Sequence, residues 1–99
     1  MANKATYTMT EKETLLVERL SYIFESNRAM VSILARELAN AENPDAKEML
    51  ESAKEDCKRA FLELRVAQDA VLDAYFSGKR PDDVRFKFNF PEREVTCEW

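Results

Sequence analysis

Five alanines, Ala46, Ala53, Ala60, Ala67 and Ala74, recur every seven residues. A companion set, Leu50, Cys57, Leu64 and Val71, recurs with the same period. Alternating steps of four and three bring side chains to one side of a helix. A sustained period of seven keeps that side turned toward one neighbour, with a shallow left-handed crossing. Small residues on one column let the neighbour approach toward the lower end of the roughly 8–10 Å range of helix packing. The segment therefore reads as a helix packed lengthwise on another helix, with Ala53, Ala60 and Ala67 at the centre of the seam.

The partner helix precedes it. Leu16, Leu20, Ile23, Asn27, Met30 and Leu34 alternate steps of four and three, and Val17, Phe24, Val31 and Leu38 form a second column. Together they make an apolar face wider than one two-helix seam, so this helix expects neighbours on more than one side. Thr10-Glu11-Lys12-Glu13 is a capping box. The Thr10 hydroxyl accepts from the N–H of Glu13, and the Glu13 carboxylate accepts from the N–H of Thr10. The first helix is predicted over 11–41. Asn43-Pro44-Asp45 breaks it, because the residue before proline is pushed out of the helical region. Asn43 then caps a second helix over 44–77, with Pro44 at its first position. Gly78 is expected as its left-handed end, and Pro81 forbids continuation. The connection is short, so the helices should run antiparallel.

The flanking segments change to period two. Ala5-Thr6-Tyr7-Thr8-Met9 reads as a strand over 4–9. Val84, Phe86, Phe88 and Phe90 alternate with Arg85, Lys87 and Asn89, and Val95, Cys97 and Trp99 alternate with Glu94, Thr96 and Glu98. This predicts a β-hairpin over 83–99, turning at Pro91-Glu92-Arg93-Glu94. An even loop sets Phe90 opposite Val95, Phe88 opposite Cys97, Phe86 opposite Trp99 and Lys87 opposite Glu98. One face is then apolar and the other carries a charge pair. A lone hairpin is marginal in water, so it must pack on the helices, and the first strand is free to join it. The expected fold is a single α+β domain, mostly α. It is a long antiparallel helical hairpin with a small antiparallel sheet, in the order β-α-α-β-β.

Composition narrows the chemistry. The chain has 99 residues, of which 45% are hydrophobic and 34% charged, as in folded proteins. Its net charge of −4 argues against a nucleic-acid partner. There is no His and one Gly, so Ser-His pairs, glycine-rich phosphate loops and nucleophile elbows do not arise. Cys57 and Cys97 lie 40 positions apart, without zinc spacing. A single disulfide between them remains open, although a reduced cytoplasmic protein is the default. No apolar run has membrane length. No catalytic residue, cofactor or metal is expected. Glu48, Glu51, Glu55 and Asp56 read as a solvated face paired with Lys47, Lys54 and Lys58. Lys79-Arg80 reads as a small basic point that suits the dipole of the second helix.

A short strand ending in Thr10-Glu11-Lys12-Glu13, two long helices and an alternating aromatic terminus together resemble the small accessory proteins of CXXX-repeat peptide modification systems. Those proteins are encoded beside radical-SAM maturases of cysteine-rich ribosomal peptides. The resemblance covers most of the chain as a plan. It implies a non-catalytic helper that binds a peptide or its enzyme, and it carries over no catalytic residue.

Two helices of about 30 residues span roughly 45 Å each and enclose little interior. The wide face of the first helix therefore predicts a homodimer built as a four-helix bundle, with Leu16, Leu20, Ile23, Asn27, Met30 and Leu34 at the seam. Asn27 within that stripe is either a register device or a polar ligand contact. Phe86, Phe88, Phe90 and Trp99 are expected to bind another protein or an extended peptide by strand addition, although Trp99 also suits simple core closure. The alternative function is a dimeric helical-bundle enzyme of chorismate-mutase-like type, drawing on Arg19, Arg28 and Arg36.

Overall fold

The computed structural model describes residues 3–38, 44–77 and 79–99. It is α+β and mostly α, with β1 at Lys4–Thr8, α1 at Glu11–Leu38, α2 at Pro44–Phe76, β2 at Arg85–Asn89 and β3 at Glu94–Glu98. The expected order β-α-α-β-β is the observed one. Residues 39–41, the Asn43 cap and Gly78 lie outside the described residues. Both cysteines are free.

The chain forms two compact units. A sheet unit comprises Met1–Glu18 and Val66–Trp99, and a helical unit comprises Arg19–Arg65. In the sheet unit the strand order is β1-β3-β2, antiparallel throughout. Tyr7 pairs with Val95 and Ala5 with Cys97 across β1 and β3. Asn3 and Trp99 exchange both backbone bonds, at 2.6 and 2.9 Å. The alternation of an antiparallel ladder then turns the odd residues of β1 toward β3 and the even ones toward the outer edge.

The hairpin register departs from expectation. Phe88, not Phe90, lies opposite Val95, Phe86 lies opposite Cys97, and Lys87 lies opposite Thr96 rather than Glu98. The four-residue loop is Phe90-Pro91-Glu92-Arg93, so every pair slips by two positions. The loop itself supplies the reason. Asn89 Oδ1 accepts from the Glu92 N–H at 3.2 Å, and the Phe90 carbonyl accepts from the Arg93 N–H at 3.1 Å. Arg93 closes the loop in the left-handed region, with φ of 55°. A slip of two preserves the faces, because side chains alternate with period two.

The core of the sheet unit gathers Met9, Val17, Ala67, Val71, Leu72, Val95 and Cys97, all buried. Val95 and Cys97 are fully enclosed because β3 is the central strand. The start of α1 is fixed by the expected capping box. The Thr10 N–H donates to Glu13 Oε1 at 2.9 Å, and the Glu13 N–H donates to Thr10 Oγ1 at 3.1 Å. Thr14, the buried polar residue among those described, donates its hydroxyl to the Thr10 carbonyl at 2.8 Å. At the far end of α2, Ser77 takes the left-handed conformation, φ 53°, one residue before the glycine expected to do so.

In the helical unit, Phe24 of α1 meets Phe61 of α2 with ring centroids 5.4 Å apart. Ala60 and Leu64 are buried there, whereas Ala46, Ala53, Leu50 and Cys57 are half-buried. The alanine column does not stay inside over its whole length. Ala74, in the sheet unit, is exposed, and Leu72 takes the enclosed place on that turn.

Candidate functional site

The predicted seam of α1 divides by burial. Leu20, Asn27 and Leu34 are half-buried, together with Phe24, Val31 and Leu38 of the second column. Ile23 and Met30 are 40% and 51% exposed in the helical unit, and Leu16 is 52% exposed in the sheet unit. The inner face of α1 is thus the set 24, 27, 31, 34 and 38, at core-helix spacing. Ile23 and Met30 sit one position before 24 and 31, and form a separate outer column. Tyr22 and Ile33 widen it; Met49, Phe61 and Leu62 of α2 are also exposed in this unit but do not share one face of their helix.

Burial is lopsided between the units. Among the described residues, Ala60 and Leu64 are the buried apolar residues of the helical unit, against seven large exposed ones. Folded monomers rarely leave extended apolar patches in water. Asn27 Nδ2 donates to the Ile23 carbonyl at 2.8 Å, one turn back on the same helix.

Arg19, Arg28 and Arg36 are all exposed. Arg28 lies 3.6 Å from Glu25 on its own helix, an exposed pair of little energetic weight. Among the described residues, no group of three or more His, Cys, Asp or Glu gathers as metal ligands would. No helix among them is long and apolar enough to cross a membrane.

In the sheet unit, the predicted partner residues Phe86, Phe88, Phe90 and Trp99 are half-buried. Phe86 and Phe88 meet edge to face at 5.6 Å, and Phe88 stacks on Phe90 at 6.0 Å, so the three make a ladder from β2 into the turn. Trp99 is engaged separately, its ring edge to face with Phe76 of α2 at 5.1 Å. Phe76 also touches Tyr7, which stacks on Tyr75 at 4.9 Å. The Tyr75 hydroxyl donates to the Thr8 carbonyl and lies 3.4 Å from Glu13 Oε1. Burial, and then the Glu13 carboxylate, push the Tyr75 phenol above its ordinary pKa. Burial alone pushes the Cys97 thiol up, which makes it a poor nucleophile.

One feature of this unit escapes sequence reasoning, and a second was legible only as the charged side of the hairpin. Arg80 is no simple dipole cation: its guanidinium reaches Asp69 at 3.1 Å and Asp73 at 3.4 Å, clamping two carboxylates one turn apart on α2. The i, i+4 spacing of those aspartates was the available signal. The second feature is the polar face of the sheet. There Lys4, Arg85, Lys87, Thr96 and Glu98 surround a shallow depression of about 360 Å³, with Phe86 at its edge. Lys4 approaches Glu98 to 4.0 Å. No family model matches the chain, and neither a curated protein nor a solved structure does.

Proposed function

We propose that this is a non-catalytic interaction protein that pairs with a second copy through its helical unit and engages another protein, as an extended segment, through its sheet unit. The observation that carries the reading is the imbalance of the helical unit: among its described residues, two buried apolar residues against seven large exposed ones. Covering Tyr22, Ile23, Met30 and Ile33 with the same surface of a second copy gives a self-complementary contact, the commonest route to a homodimer. Two paired hairpins make a four-helix bundle, whose core each copy lacks alone. The hairpin reading now rests on Phe86, Phe88 and Phe90, since the Trp99 ring already packs on Phe76. A helper role like that of the accessory proteins described above agrees with both surfaces.

The test is the double variant Ile23→Glu with Met30→Glu, followed by sedimentation equilibrium and circular dichroism. The native chain should sediment at twice its 11.5 kDa mass. The variant should fall to the mass of one chain while keeping its helical signal. A variant of unchanged assembly state would overturn the reading.

A further inference from the structure

We propose that β2 and the polar face beside it receive an acidic, extended segment of a partner protein, with carboxylates on alternate residues; this rests on the reading of the sheet unit as the partner-binding part. The first support is charge. The chain carries −4 overall, yet the depression gathers Lys4, Arg85 and Lys87 against the single carboxylate of Glu98. Glu98 lies across from Arg85 in the register but its carboxylate is approached by Lys4, at 4.0 Å, so this one acid faces three cations. Glu94, the other acid on this face, lies across from Thr8 and Asn89 at the far end.

Spacing is the second support. Arg85 and Lys87 are two residues apart on one strand, so they share a face at a repeat of roughly 6.6–6.8 Å. An extended segment laid alongside repeats its own side chains at the same interval. Carboxylates on its alternate residues therefore meet Arg85 and Lys87 in register, and its intervening apolar residues fall on the side of Phe88. Directly opposed opposite charges favour such pairing.

Topology is the third. The strand order gives β2 a neighbouring strand on one side only among the described residues. On the outer side of β1, by contrast, the Thr8 carbonyl is already taken by the Tyr75 hydroxyl. A second copy is a poor occupant of β2, because pairing β2 with itself opposes Arg85 and Lys87 to their own like charges, which is destabilising. A nucleic acid is disfavoured by the net charge of the chain.

The probe is a dye-labelled synthetic peptide in which Glu and Val alternate, followed by fluorescence anisotropy with the full chain. Peptides alternating Lys with Val, and Thr with Val, are the comparisons. The native chain should bind the Glu peptide best, and added salt should weaken it. The double variant Arg85→Glu with Lys87→Glu should lose the Glu peptide by at least roughly tenfold and gain the Lys peptide, with its circular dichroism unchanged. Equal binding of the Glu and Thr peptides would overturn the acidic partner while leaving the sheet as a binding surface. Binding of none of the three would overturn both. Tighter binding of a single-stranded oligonucleotide than of the Glu peptide would overturn the proposal in favour of nucleic acid.

Discussion

The hydroxyl of Tyr75 donates to the carbonyl of Thr8, so the last turns of α2 are tied to the outer edge of β1. The same hydroxyl lies 3.4 Å from the Glu13 carboxylate that closes the capping box of α1. One phenol thus links the first strand, the start of α1 and the end of α2. Removing it leaves a strand carbonyl without that donor. Tyr75→Phe should cost about 1 kcal/mol in urea unfolding, with the denaturant slope unchanged. A loss indistinguishable from zero would mean that water replaces the hydroxyl at no cost.

That phenol also shapes the response to alkali. Its pKa is raised in the folded state, as is that of Cys97, so the native protein holds both protons more tightly than the unfolded chain. Stability from each group is complete below the unfolded pKa and is lost as pH rises through the folded one. Unfolded thiols and phenols titrate near about 8.5 and 10. Melting temperature should therefore be insensitive to these groups at neutral pH and should fall above about pH 9. Tyr75→Phe should flatten the upper part of that fall and leave the Cys97 part in place.

The alanine column supplies a contrast within one helix. Ala60 is 6% exposed, whereas Ala74 is open to solvent. Ala60→Leu should destabilise by roughly 1–3 kcal/mol through overpacking. Ala74→Leu should stay within about 0.5 kcal/mol of the native chain. Equal effects in thermal melts would mean that the helical unit has no close-packed seam at Ala60.

The turn offers a gain rather than a loss. Arg93 holds a φ of 55°, a conformation that a Cβ penalises and glycine accepts freely. Arg93→Gly should stabilise by roughly 0.5–1 kcal/mol, read as a higher urea midpoint. A lower midpoint would show that the Arg93 side chain contributes more than the backbone relief.

Where sequence reasoning succeeded and failed follows the reach of each signal. Period two identifies Phe86, Phe88, Val95 and Cys97 as one face, because parity alone decides it. It is silent on a slip of two, which the Asn89 and Phe90 bonds in the turn decide. The capping box at Thr10 and Glu13 was legible because both its bonds are local. The recurrence finds both apolar stripes of α1, but a helix alone does not say that Leu16, Ile23 and Met30 of the first stripe stay exposed while Asn27 and Leu34 join Phe24 and Val31 on the inner face. The partner-binding expectation for Trp99 was likewise open to its other reading, because its contact with Phe76 joins residues distant in sequence. The Tyr75 contact joins distant residues in the same way, and no spacing announces it; for Arg80 the i, i+4 pair Asp69 and Asp73 offered a signal, but not the identity of the cation that would meet it.

The central claim is that a second copy covers the outer column of α1, and Met30 reports on it directly. A sample mixed from methyl-labelled and unlabelled chains, observed by isotope-filtered nuclear Overhauser spectroscopy, separates contacts between copies from contacts within one. Met30 is 51% exposed in the single chain, whereas Met9 is 3% exposed inside the sheet unit. The account predicts strong contacts between copies at the Met30 methyl and none at Met9. A Met30 methyl with no contact to another copy, in a sample sedimenting at 11.5 kDa, would contradict it.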